Sequence, residues 1–180
     1  MSKHLFFLLV YFFSTYAMAF PQIELNEGVN RIDLNRNGME DYVIASIYDR
    51  NMSYSNNSLT FFIRLPNGEL SIIPAANRDT FTWLDHRIFS GAITVRDNRL
   101  FEFDDGVFLV VAKKHTENTD LFGPGPFTFE VYDIQQFSQH PGAPLYEWSL
   151  LKTFESAGQH VSAEQAYLEI DAEALERSNN

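Results

Sequence analysis

The sequence predicts a mostly β protein: a single antiparallel, sandwich-like domain with a short helix near its C-terminus. Three observations carry this reading. Short apolar and β-branched runs recur along the chain, separated by Gly, Pro, Asn and Asp turn signals. Aromatic residues make up 15% of the chain, and 17 of them are phenylalanine, a residue type that fills β cores. Cysteine is absent, so no disulfide staples the fold and packing must hold it.

The first nineteen residues stand apart. Lys3 gives a positive start, residues 5–13 (LFFLLVYFF) are unbroken apolar, and Ala17-Met18-Ala19 is a small–x–small cleavage signal. That order is the pattern of a secretory signal peptide. The apolar run is far shorter than the roughly 20 residues a transmembrane helix needs. The expectation is a leader over 1–19, a single β-rich domain over 20–180, and export without a membrane anchor. Loss of the leader removes one charged residue, Lys3, and moves the formal net charge from −11 to −12. So acidic a chain is a poor partner for nucleic acid or anionic lipid, which need basic patches.

The elements follow in order. Residues 22–25 form a short strand, broken at Asn26-Glu27-Gly28. Residues 29–34 lead into an Asn/Gly turn over 35–38, and 42–48 read as a buried strand. The Asn/Ser-rich stretch 49–57 is a loop. Residues 58–65 and 70–73 pair around the turn Pro66-Asn67-Gly68-Glu69. Residues 75–85 look irregular. Residues 87–95 and 99–103 look extended, with Asp97-Asn98 between them, and Asp104-Asp105-Gly106 turns. Residues 107–112 (VFLVVA) have no polar interruption and read as the most deeply buried strand. A polar, Gly/Pro-rich loop over 113–126 follows. Residues 127–134 (FTFEVYDI) alternate as a half-buried strand does, and 145–154 give one more strand. Residues 162–168 suit a short helix, with Ser162 and Gln165 at capping-box spacing.

The sharpest local motif is Asp33-x-Asn35-x-Asn37-Gly38-x-x-Asp41. Alternating Asp and Asn oxygens around a glycine turn have the ligand spacing of calcium loops, which makes Asp33, Asn35, Asn37 and Asp41 the candidate metal residues, for Ca2+. It is not an EF-hand, because the twelfth position is Ile44. The same pattern also serves a plain Asx-rich turn that caps its own amides. Ser149-Leu150-Leu151-Lys152 matches S-x-x-K, but the S-D-N and K-T-G partner motifs of that chemistry are missing. His86, His115, His140 and His160 are scattered, without zinc-ligand spacing. Lys113-Lys114-His115 is a small basic patch, open to an anionic ligand or simply solvated. The loop Phe122-Gly123-Pro124-Gly125-Pro126 either lines a pocket or only connects. No catalytic residues emerge, and the chain reads as a non-enzyme.

Six segments together resemble one family. They are 28–43 (GVNRIDLNRNGMEDYV), 58–63 (SLTFFI), 108–112 (FLVVA), 127–132 (FTFEVY), 141–148 (PGAPLYEW) and 154–167 (FESAGQHVSAEQAY). Their order and spacing resemble the exported carbapenem self-resistance proteins of the CarG type. The resemblance implies a periplasmic, non-hydrolytic immunity protein acting by binding or shielding, with a carbapenem or an envelope target as partner. That reading predicts an aromatic-lined cleft and no turnover. The alternative is a β-rich interaction module of the cell envelope with no antibiotic role. A hydrolase would need titratable groups clustered in one pocket. A symmetric homodimer is the oligomer to expect from general priors.

Overall fold

The computed structural model describes residues 22–175, apart from 50, 52–54, 77–78, 90, 104–105, 118–119 and 138–140. The expected leader, the turn residues Asp104 and Asp105, and His140 lie outside the described residues.

The chain opens with β1 (Gln22–Ile23), which belongs to the larger of two antiparallel sheets. It then builds the smaller sheet from β2 (Gly28–Ile32), β3 (Asp41–Ile47), β4 (Asn57–Arg64) and β5 (Leu70–Ile73), paired in that order. A two-residue strand, β6 (Trp83–Leu84), pairs with the start of β4. The larger sheet follows: β7 (His86–Ile88), β8 (Ile93–Phe103), β9 (Gly106–Lys114), β10 (Phe127–Gln136) and β11 (Tyr146–Glu155). Its order is β1-β8-β9-β10-β11, with β7 also on β8. The chain ends in α1 (Ala163–Ala166), a 3-10 turn (Tyr167–Glu169) and α2 (Ala172–Leu175).

Strand β9 shows why the chain stacks three layers. Side chains alternate across a strand, so a run without polar residues needs cover on both faces. Val107, Leu109 and Val111 face the smaller sheet, where they meet Val43, Leu59, Phe61, Ile63 and Ile73. Phe108, Val110 and Ala112 face the C-terminal segment, where they meet Ala163, Ala166, Tyr167 and Leu175. The larger sheet is therefore the middle layer. The smaller sheet has one covered face, which corrects the expectation of a fully buried strand over 42–48. Val43 is fully buried there while Tyr48 is 70% exposed.

Three further expectations are corrected. The stretch 75–85 contains β6, because Trp83 is drawn into the core opposite Leu59. The break expected at Asp97-Asn98 falls instead at 89–92, and β8 runs unbroken through both residues. The Asp97 carboxylate accepts from Arg99 Nε and from the Asn98 amide, at 2.8 and 2.9 Å. Those bonds satisfy the polar group inside a sheet, so nothing forces a turn. At the actual break Phe89 has φ 52°, a left-handed value uncommon for a bulky residue. Finally, Ser162 sits at the N-cap of α1 but does not cap it. Its Oγ accepts the Thr94 amide across the sheet edge at 3.0 Å, while Gln165 accepts the Val161 amide. A tertiary donor outcompetes the local one.

No helix among the described residues is long and apolar enough to cross a membrane.

Candidate functional site

The face of the larger sheet that packs on the smaller one changes character along its strands. Leu100, Val111 and Tyr132 belong to the core between the sheets. Stepping along the same face by twos reaches Arg96 on β8, Lys113 on β9 and Glu130 on β10. Arg96 and Lys113 are direct cross-strand partners, as are Lys113 and Thr128. Lys113 Nζ donates to Glu130 Oε1 at 2.5 Å, and Tyr132 Oη donates to Glu130 Oε2 at 2.6 Å. Burial pushes the Glu130 carboxyl up, but the hydrogen bonds from Lys113 and Tyr132 and the charges of Lys113 and Arg96 hold it below its ordinary value. The same burial, with Glu130 beside it, pushes the Tyr132 hydroxyl up.

Two tryptophans pack into the core between the sheets. Trp83 meets Tyr132 edge-on at 5.2 Å between ring centroids, and Trp148 meets Phe61 edge-on at 5.0 Å. Among the described residues, Trp83 Nε1, Trp148 Nε1 and Arg96 Nε are buried N–H groups with no acceptor. Buried donors usually find a partner. Three such donors around one face mark it as chemically unfinished.

A concavity of about 460 Å³ lies among residues of β1, β3, β4 and β8. Its lining is polar and aliphatic, with Asp85, Arg87, Asp97, Asn98 and Arg99 prominent. Both tryptophans and Phe61, Phe101, Phe108, Phe127 and Phe129 are committed to the two cores, while Phe81, Phe89 and Phe122 are exposed. Both arginines are already engaged. Arg87 Nε pairs with Asp85 and Arg99 Nε with Asp97, each at 2.8 Å. Arg99 also lies over the Tyr167 ring at 4.4 Å. These charges complete each other rather than await an anion.

The candidate metal residues divide into two groups. Asp33, Asn35 and Asn37 are brought together, and each oxygen is turned onto the loop's own amides. Asp33 accepts from the Asn37 and Gly38 amides at 3.0 and 2.8 Å. Asn35 accepts from Asn37 at 3.2 Å, and Asn37 from Met39 at 2.8 Å. Gly38 has φ 83°, a conformation glycine adopts without strain. Asp41 is fully buried, within electrostatic reach of Asp33 and of the Asn35 backbone. Its two oxygens accept from the Leu34 and Arg64 amides at 2.9 and 2.8 Å, tying the loop to β4. Burial raises its pKa, opposed by those amide bonds. The Asp33, Asn35 and Asn37 bonds are those of Asx turns, whereas those of Asp41 are tertiary. Among the described residues no group of three or more His, Asp or Glu side chains is placed to hold a metal.

The basic patch also divides. Lys113 lies on the face described above, but Lys114 is 5% exposed and donates to the carbonyls of Leu121, Gly123 and Val161. Burial lowers its pKa. Lys114 thereby fastens the Gly/Pro loop to the sheet. His115 reaches Thr128 and Glu155, and His160 pairs with Glu169 at 2.6 Å. Ser149 of the S-x-x-K motif lies within β11, paired in register with Asp133. Arg96, Glu130, Tyr132 and Trp83 were not singled out from the sequence. The available signal was the interruption of an alternating apolar face by Arg96, Lys113 and Glu130 on three successive strands.

The comparisons with known proteins agree with this architecture. Residues 25–169 match the family described as carbapenem resistance protein CarG-like. The chain is similar to the crystal structure of CarG, with 41% sequence identity over 87% of this chain and 99% of that one, at a TM-score of 0.81. No curated protein matches. With the family match spanning nearly the whole β domain and both sheets, the chain belongs to the CarG-like family.

Proposed function

We propose that this chain is a periplasmic carbapenem resistance protein that protects without hydrolysing the drug, by binding it or by shielding its target. The observation that carries the reading is the family match over residues 25–169, which takes in every strand from β2 to β11. The leader pattern at 1–19 supports the location. The non-hydrolytic reading is supported by the place of the S-x-x-K serine. That chemistry needs its serine in the context of a complete set of motifs, whereas Ser149 is an interior strand residue.

The test is carbapenem survival of a sensitive Gram-negative host expressing the chain with its leader, beside a copy lacking residues 1–19. The expected result is protection only with the leader, at undiminished drug concentration in the medium. Absence of protection from well-expressed, exported protein would overturn the resistance role and favour an envelope interaction module. Loss of drug would overturn the non-hydrolytic mechanism.

A further inference from the structure

We propose that Arg96, Lys113 and the indole N–H of Trp83 form a recognition site for the carboxylate of a small ligand, at the open end of the space between the two sheets. The proposal rests on the function proposed above for the identity of the drug as ligand. The site itself is argued from the molecule.

The first step is the kind of group that is missing. Arg96 Nε and Trp83 Nε1 are both buried donors without acceptors. A buried polar group left unpaired is costly, so these two donors favour a partner that accepts, while Asn98 Oδ1, two positions along the same face of β8, is a buried acceptor that lacks a donor. The second step is their proximity. β6 packs against β8, which brings Trp83 to the strand of Arg96. The Trp83 ring meets Tyr132, whose hydroxyl reaches Glu130, and Arg96 lies within electrostatic reach of both Glu130 and Tyr132. The third step is charge. Lys113 pairs with Glu130 at 2.5 Å, and the single carboxylate of Glu130 faces the charges of both Lys113 and Arg96, so the cluster holds two cations for one anion. A monoanion balances it, and a planar carboxylate fits the guanidinium fork. Arg96 is half-buried and the Lys113 side chain is 38% exposed, so the cluster is approached from solvent on its charged side.

The paired arginines of the 460 Å³ cleft make the contrast. Arg87 and Arg99 already hold carboxylates from this chain, Asp85 and Asp97. Arg96 sits on the same sheet in the same kind of environment, and its Nε has no such partner.

The experiment uses calorimetric titration together with tryptophan fluorescence, since Trp83 is one of the two tryptophans. The chain lacking residues 1–19 is titrated with a carbapenem, with a short peptide bearing a free C-terminal carboxylate, and with the same peptide as its C-terminal amide. Arg96→Gln is the test variant, and Arg31→Gln, at a side chain 64% exposed that pairs with Glu40 and lies over the Tyr42 ring, is the control. The expected result is binding of a free acid, weakened at least tenfold in Arg96→Gln and unchanged in Arg31→Gln, with the amide not bound. Binding of the carbapenem identifies the drug as ligand. Binding of the peptide acid without the carbapenem upholds the site and overturns drug sequestration, leaving target shielding. Failure of every free acid to bind at millimolar concentration overturns the site, as does equal binding of acid and amide. The acid and amide pair needs no variant, so the proposal stays testable if Arg96→Gln fails to fold. Equal binding of the free acid by the native chain and a folded Arg96→Gln would overturn the role of Arg96, whatever the survival assay shows of the resistance role.

Discussion

The two faces of the large middle sheet are finished differently. On the helical side, the buried hydroxyl of Tyr167 is fully used. Tyr167 donates toward the carbonyls of Asp97 and Val110, both at 2.9 Å, and accepts from the Ala112 amide at 3.3 Å. Full burial pushes that hydroxyl far above its ordinary pKa, so it stays protonated and keeps its bonds. On the side facing the smaller sheet, two indole N–H groups and a guanidinium Nε are buried with no acceptor. Both faces are built from aromatic and branched side chains, so apolar burial does not distinguish them. Polar satisfaction does. A face that closes every hydrogen bond is a structural core, and a face that leaves donors open is where a ligand gains most from binding.

That contrast can be broken or sharpened by substitution. The largest expected effect is Phe129→Ala on the helical side. Phe129 is fully buried and stacks on Phe154 at 5.1 Å, so its loss is expected to cost about 3–5 kcal/mol in denaturant unfolding. Asp41→Ala comes next, at about 2–4 kcal/mol, because it strands the Leu34 and Arg64 amides inside the protein. Tyr167→Phe keeps the ring and removes the satisfied hydroxyl, for about 1–3 kcal/mol. Arg96→Gln sharpens the comparison, since the Nε it removes has no hydrogen bond to lose; its stability is expected within about 0.5 kcal/mol of the native chain. A loss there as large as that of Tyr167→Phe would show that the two faces are equally finished.

Two smaller effects concern the loop and the C-terminal segment. Asp33→Ala is expected to cost about 1 kcal/mol, equally in calcium and in chelator, because the Asp33 oxygens serve the Asn37 and Gly38 amides. A loss confined to calcium would make the loop a metal site. Glu169 sets an acid limit. Burial raises its pKa, but hydrogen bonds from His160 and the Ala157 and Gly158 amides hold it below the ordinary value. A depressed carboxyl adds stability that is complete above the unfolded value and disappears as pH falls through the folded one. The gap in melting temperature between the native chain and Glu169→Gln is therefore expected to be full above about pH 5 and to close below about pH 4. A gap that widens on acidification would reverse the sign of that contribution.

Much of the fold was legible because it follows from local pattern. The VFLVVA run announced a strand covered on both faces, and Pro66-Asn67-Gly68-Glu69 announced its hairpin. The errors came where a distant group decided the outcome. Asp97-Asn98 reads as a turn until Arg99 and the Tyr167 hydroxyl are seen to satisfy it. Ser162 reads as a cap until the Thr94 amide claims its oxygen. The candidate site was half legible. Lys113 stood out as basic, but its separation from Lys114 depends on which face each occupies. Arg96 and Trp83 lie thirteen positions apart, on two strands that meet only through the docking of β6 on β8.

The most direct test of the account is incubation of the purified chain with a molar excess of carbapenem, with the intact drug quantified over hours. The expected result is no loss beyond the protein-free control, from the same preparation whose leader-bearing form protects cells. Consumption of many equivalents of drug per chain would contradict it, and would make this member of the CarG-like family an enzyme.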